Sequence, residues 1–314
     1  MKSLISVIAP MYNEEAVVKE YTEITLDVLR QVNENYNYEI LFVNDGAKDH
    51  TLERMVEMQK LYPNEIGIVN LSRNFGLEGA INAGLRTSKG DIIIVMDGDL
   101  QDPPALIIEM LKKYEGGADI VIASRVSRSN DNFIKRITAN LYYRILDSLS
   151  GKLRLEKSAA NYRLLSRRAV QKIIELPEVN TTFRVSVPFI GMKTDVVEYD
   201  RDKRVAGKTN YNFTSLIRCA LDGLTGISIA PLRKIFWTFS VSLLVVIGSV
   251  IGLILSNGIW QSTFLIILIM SLFFSLLYIS VALIAEYIAQ IMLEVKHRPT
   301  SIIYEYEPSK NSEK

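Results

Sequence analysis

Two stretches late in the chain, residues 235–255 (IFWTFSVSLLVVIGSVIGLIL) and 262–285 (STFLIILIMSLFFSLLYISVALIA), run without a single charged residue. Each is long enough to cross the roughly 30 Å hydrocarbon layer of a bilayer as a helix. Uncharged runs of that length read as membrane spans rather than as a very apolar core hairpin. The loop between them, residues 256–261, is short and uncharged, whereas Arg233 and Lys234 precede the pair and Lys296 and Arg298 follow it. Positive charge accumulates on the cytoplasmic side. The sequence therefore predicts a two-helix hairpin in the cytoplasmic (inner) membrane, with both chain ends in the cytosol. Trp237 and Trp260 lie near the ends of the first run, where an indole sits at the headgroup level.

The hairpin leaves residues 1–232 to form a cytosolic part. With 48% hydrophobic residues overall, the chain can bury a sizeable core. Its formal net charge of +1 gives no reason to expect a nucleic-acid partner. The single cysteine, Cys219, excludes an internal disulfide and a cysteine-based zinc site. At the N-terminus LISVIAP is too short for a signal peptide and reads as a first strand. A helix over 14–33 follows, with Val17, Val18, Tyr21, Thr25, Val28, Leu29 and Val32 on one face. Residues 39–45, 66–72, 91–97 and 119–125 are further buried strands, separated by helical stretches near 50–61, 77–87 and 104–115. This alternation predicts an α/β layer with a mostly parallel sheet. Ligands of such sheets sit at the carboxyl ends of the strands, where Asn13, Asp45, Asp97 and Arg125 fall. Apolar stripes at helical spacing over 212–224 and 132–149 fit either an interfacial helix or packing on the domain. The domain limits read as 1–209 for the globular part, 210–232 for an amphipathic juxtamembrane segment, 233–293 for the spans, and 294–314 for a cytosolic tail frayed after Pro308.

The polar residues at the strand ends carry chemistry. In VMDGDLQDPP, Asp97 and Asp99 can place both carboxylates on one hard cation, with the Gln101 amide as a third oxygen donor, a set suited to Mg²⁺ or Mn²⁺. Pro103-Pro104 fix the loop and open a helix. In PMYNEE, Tyr12 and Glu14 could hold a base or ribose, while Asn13 fits equally well as a helix N-cap. Asp45-Gly46 offers a carboxylate to a sugar hydroxyl or base N–H, or makes an ordinary turn. Arg73-Asn74-Phe75-Gly76 either approaches a phosphate or only turns the chain.

The joint occurrence of these elements resembles the family 2 glycosyltransferases with the A-type nucleotide-sugar-binding fold, and within them the polyprenyl-phosphate sugar synthases. The motifs that carry it are PMYNEE, NDGAKDHT, SRNFGLEGAINAGL, DGDLQDPP, ASRVSR, NYRLLSRRAV, DRDKRVAGKTNY, ALDGLTGISIAPLRK and EYIAQIMLEVKHRP, spread over nearly the whole chain. The resemblance implies that Pro10, Tyr12, Glu14 and Asp45, with Asn13, Asn74 and Gly76 beside them, hold the nucleotide sugar. It implies that Asp97, Asp99 and Gln101 bind the metal and diphosphate. Arg125, with Arg128, Arg201 or Arg204, would meet the acceptor phosphate, since guanidinium forks match phosphate oxygens.

Two positions depart from that family's pattern. Where relatives often carry an acidic residue assigned as a base, this chain has Asn161 in Ala159-Ala160-Asn161-Tyr162-Arg163-Leu164. Asn210 stands where a lysine is common, with Lys208 two places earlier as a substitute. A hydroxyl acceptor needs a general base, whereas a phosphate monoester has a second pKa of about 6 and is largely dianionic already. The resemblance, with Asn161 in place of a base, implies inverting transfer from a UDP-sugar, glucose or N-acetylglucosamine, to undecaprenyl phosphate at the lipid bilayer, and a homo-oligomer is expected. The site residues are Asp99 and Asn161, with Asp102 a loop residue or an alternative catalytic group. Alternatives are a hydroxyl acceptor on a lipid-linked glycan or polysaccharide, mannosyl transfer from GDP-mannose, and a non-catalytic membrane scaffold.

Overall fold

The computed structural model describes residues 2–125, 159–178, 182–199 and 258–313, with single helical positions between 241 and 254. The chain divides into two units, Met1–Tyr143, Leu153–Asn210 and Arg298–Lys314 in one, Arg144–Lys152 and Tyr211–His297 in the other. In the first unit, strands β1 (Ser3–Met11), β2 (Tyr36–Asn44), β3 (Ile66–Leu71), β4 (Ile92–Val95) and β5 (Ile120–Arg125) alternate with helices. These are α1 (Val18–Arg30), α2 (Thr51–Leu61), α3 (Leu77–Thr87) and α4 (Leu106–Glu115). Strand β6 (Ala159–Ser166), helices α5 (Arg167–Ile174) and α6 (Phe183–Phe189), and strand β7 (Thr194–Tyr199) follow. The second unit contributes helix α7 (Ile259–Val295), after which β8 (Ile303–Glu307) returns to the first unit.

The eight strands form one sheet in the order β7-β5-β6-β4-β1-β2-β3-β8. β1 pairs in parallel with β2 and β4, β2 with β3, and β5 with β7. β6 runs antiparallel between β4 and β5, and β8 antiparallel along β3. Strand side chains alternate between two cores, because successive residues point to opposite faces. Ile5, Val7, Ile40, Phe42 and Ile94 pack with α1, α2 and α4 on one face. Ile8, Leu41, Val43, Ile93 and Val95 pack with α3, α5 and α6 on the other. A parallel sheet covered on both faces needs continuous apolar strands, which is why ILFV and IIIV were readable as strands. Order reverses at β1, whose neighbours are β2 and β4. The crevice at the carboxyl ends of β1 and β4 is thus the topological switch point, where open α/β sheets bind ligands.

The expected 14–33 helix is shorter, running Val18–Arg30; ahead of it the Glu14 and Glu15 N–H groups donate to Thr51 Oγ1 and Asp49 Oδ2. Strands β6, β7 and β8 add to those anticipated. The tail after Pro308 is not frayed: Ser309 is fully buried and its hydroxyl donates to Glu39 Oε2 at 2.6 Å. Asn311 donates to the Tyr38 carbonyl at 3.0 Å, and the Lys310 N–H to that of Pro63 at 3.1 Å.

In the second unit, α7 is 37 residues long, and Gln261–Val295 within it is apolar enough to cross a membrane. Its apolar side chains lie open, Leu268 at 65% and Ile279 at 63% exposure, an arrangement that water disfavours and lipid accepts. The described positions of the run before it are helical, and most of them, including Leu244 and Ile254, are exposed as well. The rest of the 235–255 run, Trp237, and the amphipathic stretches over 132–149 and 212–224 lie outside the described residues.

Candidate active site

Three loops at the carboxyl edge of the sheet are tied together by side chains that accept backbone N–H groups. Asn13, at φ +55°, is not a helix cap; its Oδ1 accepts the Lys48 N–H at 2.8 Å and joins the end of β1 to the loop after β2. Glu15 accepts from the His50 N–H at 3.0 Å. Asp45, 3% exposed, accepts the Phe75 and Gly76 N–H groups at 2.7 and 3.0 Å and so fixes the loop after β3. Burial pushes its carboxyl up from the ordinary value against the pull of those two N–H groups. Gly46, at φ +63°, brings its backbone against this loop; a Cβ there would stand 2.4 Å from the Arg73 carbonyl carbon. Asn44 Nδ2 donates to Asn70 Oδ1 at 2.8 Å, tying the ends of β2 and β3. Tyr12 and Glu14 are half-buried beside these loops.

β4 ends at the switch point in Asp97-Gly98-Asp99. Gly98 is required by close approach, since a Cβ would lie 2.9 Å from Met11 Cγ and 3.1 Å from the Pro10 carbonyl oxygen. That contact seats the turn of the Asp-Gly-Asp segment against the end of β1. Asp97 Oδ1 is buried with no hydrogen-bond partner. Burial, then the neighbouring Asp102 and Asp99, push the Asp97 carboxyl up to about 6, while Arg184 and a hydrogen bond with Asn161 pull it down. Asp99 Oδ1 accepts the Gln101 N–H at 3.2 Å. Asp102, 1% exposed, accepts a short hydrogen bond from the Tyr199 hydroxyl at the end of β7.

The β4–β6 register pairs Val95 with Arg163. Past that last pair the antiparallel direction brings Asn161 of β6 toward Asp97 in the loop after β4, and a side-chain hydrogen bond joins the two. Asn161 is 4% exposed and its Oδ1 accepts from Arg184 Nε at 3.3 Å. The first residue of α6 is clamped at both backbone groups. The Phe183 N–H donates to Glu78 Oε2 at 2.7 Å, and its carbonyl accepts from Arg163 Nη1 at 3.0 Å. Burial pushes the Arg163 guanidinium down to about 10.

A hard divalent cation fits this set of donors. Asp97 Oδ1 is a buried acceptor without a donor, Asp99 stands one residue away, and both are hard oxygen ligands. Among the described residues no cluster of three acidic, histidine or cysteine groups surrounds them. Mg²⁺ takes one or two carboxylates and completes its shell with water and substrate phosphate.

A family model described as glycosyl transferase family 2 matches residues 6–174. The chain belongs to that family. This glycosyltransferase is 36% identical to the bactoprenol glucosyl transferase of Shigella phage SfV, over 95% of its own length and 97% of that protein's. It is 36% identical to glycosyltransferase YkcC of Bacillus subtilis over 95% and 92% of the two chains. It is 34% identical to a prophage bactoprenol glucosyl transferase homolog of Escherichia coli over 95% and 98%. Among solved structures, glucosyl-3-phosphoglycerate synthase from Mycobacterium tuberculosis superposes with a TM-score of 0.49 at 18% identity, over 71% of this chain and 76% of that one.

As a member of family 2 with a mostly parallel sheet covered on both faces, the glycosyltransferase has an A-type α/β fold. Its sheet edge gathers Pro10, Tyr12, Asn13, Glu14, Asp45, Asn74, Gly76, Asp97, Asp99, Gln101, Asp102 and Asn161 onto neighbouring strand ends and loops. Arg125 closes β5 on the same edge, where it pairs with Tyr199. Arg128, Arg201, Arg204, Lys208 and Asn210 lie outside the described residues. Sequence reasoning passed over Arg184, Glu78 and Tyr199. Glu78 lies within SRNFGLEGAINAGL, but nothing local gives it, Arg184 or Tyr199 a role, because each joins the site through a partner 23 to 105 positions away.

Proposed function

We propose that this glycosyltransferase moves a sugar, glucose or N-acetylglucosamine, from its UDP derivative to undecaprenyl phosphate with inversion at the anomeric carbon. The observation that carries the reading is Asn161. The residue that meets Asp97 is an amide that cannot accept a proton, and it is held on both sides, by Arg184 and by Asp97. An acceptor hydroxyl would need a base there. A phosphate monoester brings its own negative oxygen, with a second pKa of about 6. The relatives named bactoprenol glucosyl transferases support the same acceptor.

The chemistry balances without a protein base. An acceptor phosphate oxygen forms the new bond to the anomeric carbon as the bond to the UDP β-phosphate oxygen breaks, and UDP leaves with the electron pair. Asp97 and Asp99, with Gln101, would hold the divalent cation, which supplies positive charge for the departing diphosphate. The loops fixed by Asn13, Asp45 and Glu15 form the frame for the nucleoside, and rigid loops hold the reacting atoms in line.

The acceptor's lipid tail requires a membrane, and α7 supplies one span. β3 and β8 pair in one sheet, so a chain that leaves β7 for the bilayer must return to the same side. A single crossing would strand β8 on the far face. An even number of crossings supports the hairpin of 235–255 with 262–285.

The test is direct. Membranes containing the full chain, given labelled UDP-sugar, should yield a lipid-extractable product that mild acid cleaves, as a sugar-1-phosphate linkage requires. Acid-resistant product would point to a hydroxyl acceptor, and product formed only from GDP-mannose would overturn the UDP donor.

A further inference from the structure

We infer that Arg184 is a phosphate-binding residue of this site, its guanidinium taking the phosphomonoester of the lipid acceptor, and that Asn161 holds it in place for that task. The inference rests on the acceptor proposed above and adds the group that recognises it.

Three observations carry it. First, Arg184 is exposed, and only its Nε is engaged, by Asn161 Oδ1 at 3.3 Å. Its two Nη groups make no hydrogen bond among the described residues, which leaves the paired donors that match two phosphate oxygens. Second, Arg184 is the cation that acts on Asp97 against the neighbouring carboxylates. Two other cations of this edge are engaged by aromatic or backbone partners. Arg163 is buried against Phe183, and Arg73 lies 4.1 Å over the Phe75 ring in the loop after β3. Third, the position is rigid. Phe183, the residue before Arg184, is fastened through its N–H to α3 and through its carbonyl to β6.

Charge explains the amide. A carboxylate at position 161 would lie within ion-pair distance of Arg184 and neutralise it, whereas Asn161 orients the guanidinium and leaves its charge whole. Among the described residues Arg184 forms no salt bridge. A dianionic phosphate arriving beside Asp97, Asp99 and the donor's diphosphate needs such a counter-charge, because the cation at the two carboxylates is taken up by the diphosphate.

The experiment uses the full chain in detergent micelles, with Arg184→Ala and Arg184→Lys. Binding of undecaprenyl phosphate and of undecaprenol is measured without donor, and KM is measured for both substrates. The wild type should prefer the phosphate over the alcohol, Arg184→Ala should lose that preference by roughly tenfold or more, and Arg184→Lys should recover part of it. The acceptor KM should rise in step while the donor KM stays within about twofold. A rise in donor KM alone would assign the phosphate to the nucleotide sugar and overturn the inference. So would an unchanged phosphate preference with only kcat reduced. Failure of the wild type to use any polyprenyl phosphate would sink the acceptor reading itself, and the binding comparison would show that separately.

Discussion

At Asp97 the demands of folding and of function pull in opposite directions. Folding places its carboxylate in a buried setting beside Asp99 and Asp102, which raises its pKa to about 6. Cation binding requires the ionised form. A carboxyl whose folded pKa lies above its unfolded value of about 3.9 loses stability as pH rises from about 4 through 6. The cation-free protein should therefore lose thermal stability over that interval, and Mn²⁺ should restore it. Thermal scans should show a larger Mn²⁺-induced rise in Tm at about pH 8 than at about pH 5, because protons compete with the cation at the lower pH. An equal rise at both would remove Asp97 from the cation site. Asp99→Ala should lower kcat by at least about 100-fold with the fold retained, the loss expected when positive charge at a leaving group is removed. Turnover in labelled-sugar assays is the readout. Gly46→Ala should cost about 1–3 kcal/mol of stability, since its φ of +63° and the Arg73 backbone 2.4 Å away leave no room for a methyl group. UDP affinity, measured by calorimetry, should weaken with it as the loop after β3 shifts. At this scale the position of Asp97 and Asp99 at a strand end could be read from the sequence, while Asn161 was singled out only by the resemblance to a family motif. Arg184 was not, for its partner lies 23 positions back on another strand.

At the scale of elements, legibility follows burial. β1 to β5 read as strands because both of their faces are covered and their sequences are nearly unbroken apolar runs. β6 carries Asn161, Arg163 and Ser166 among its apolar residues, so its pattern breaks where it serves the site. β8, IYEYE, alternates as a one-sided edge strand should, but residues 200–302 separate it from β7, and its polar surroundings resemble a loose tail. Pairing with β3 gives it order, and a buried carboxylate locks it. Glu39, 1% exposed, accepts from Ser6 and from Ser309, each at 2.6 Å. Ser309→Ala leaves one oxygen of that carboxylate without its donor, a loss of about 1–3 kcal/mol. Urea unfolding of the full chain should show a lower midpoint with an unchanged slope. A midpoint equal to the wild type would mean that the tail is held by β8 pairing alone.

For the whole molecule, the return of β8 turns a question about helices into one about sides. α7, at about 1.5 Å per residue, is some 55 Å long and exceeds the roughly 30 Å hydrocarbon layer, so part of it stands outside the lipid. Glu286 and Glu294 fall in its C-terminal part, which makes that end the wet one. The chain then reaches β8 within eight residues. The sheet holds strands from both before and after α7, and the proposed hairpin, in which 235–255 crosses and α7 returns, accounts for that order. Single cysteines introduced in a Cys219→Ser background can read this. Lys48→Cys and Glu313→Cys should react with an impermeant thiol reagent only from the cytosolic face of membrane vesicles. Asn257→Cys, in the loop between the two uncharged runs, should react only from the opposite face. Reaction of Asn257→Cys from the cytosolic face would make α7 an interfacial or re-entrant helix. Reaction of Glu313→Cys from the opposite face would require β8 to leave the sheet, and the Glu39–Ser309 contact would then have to break.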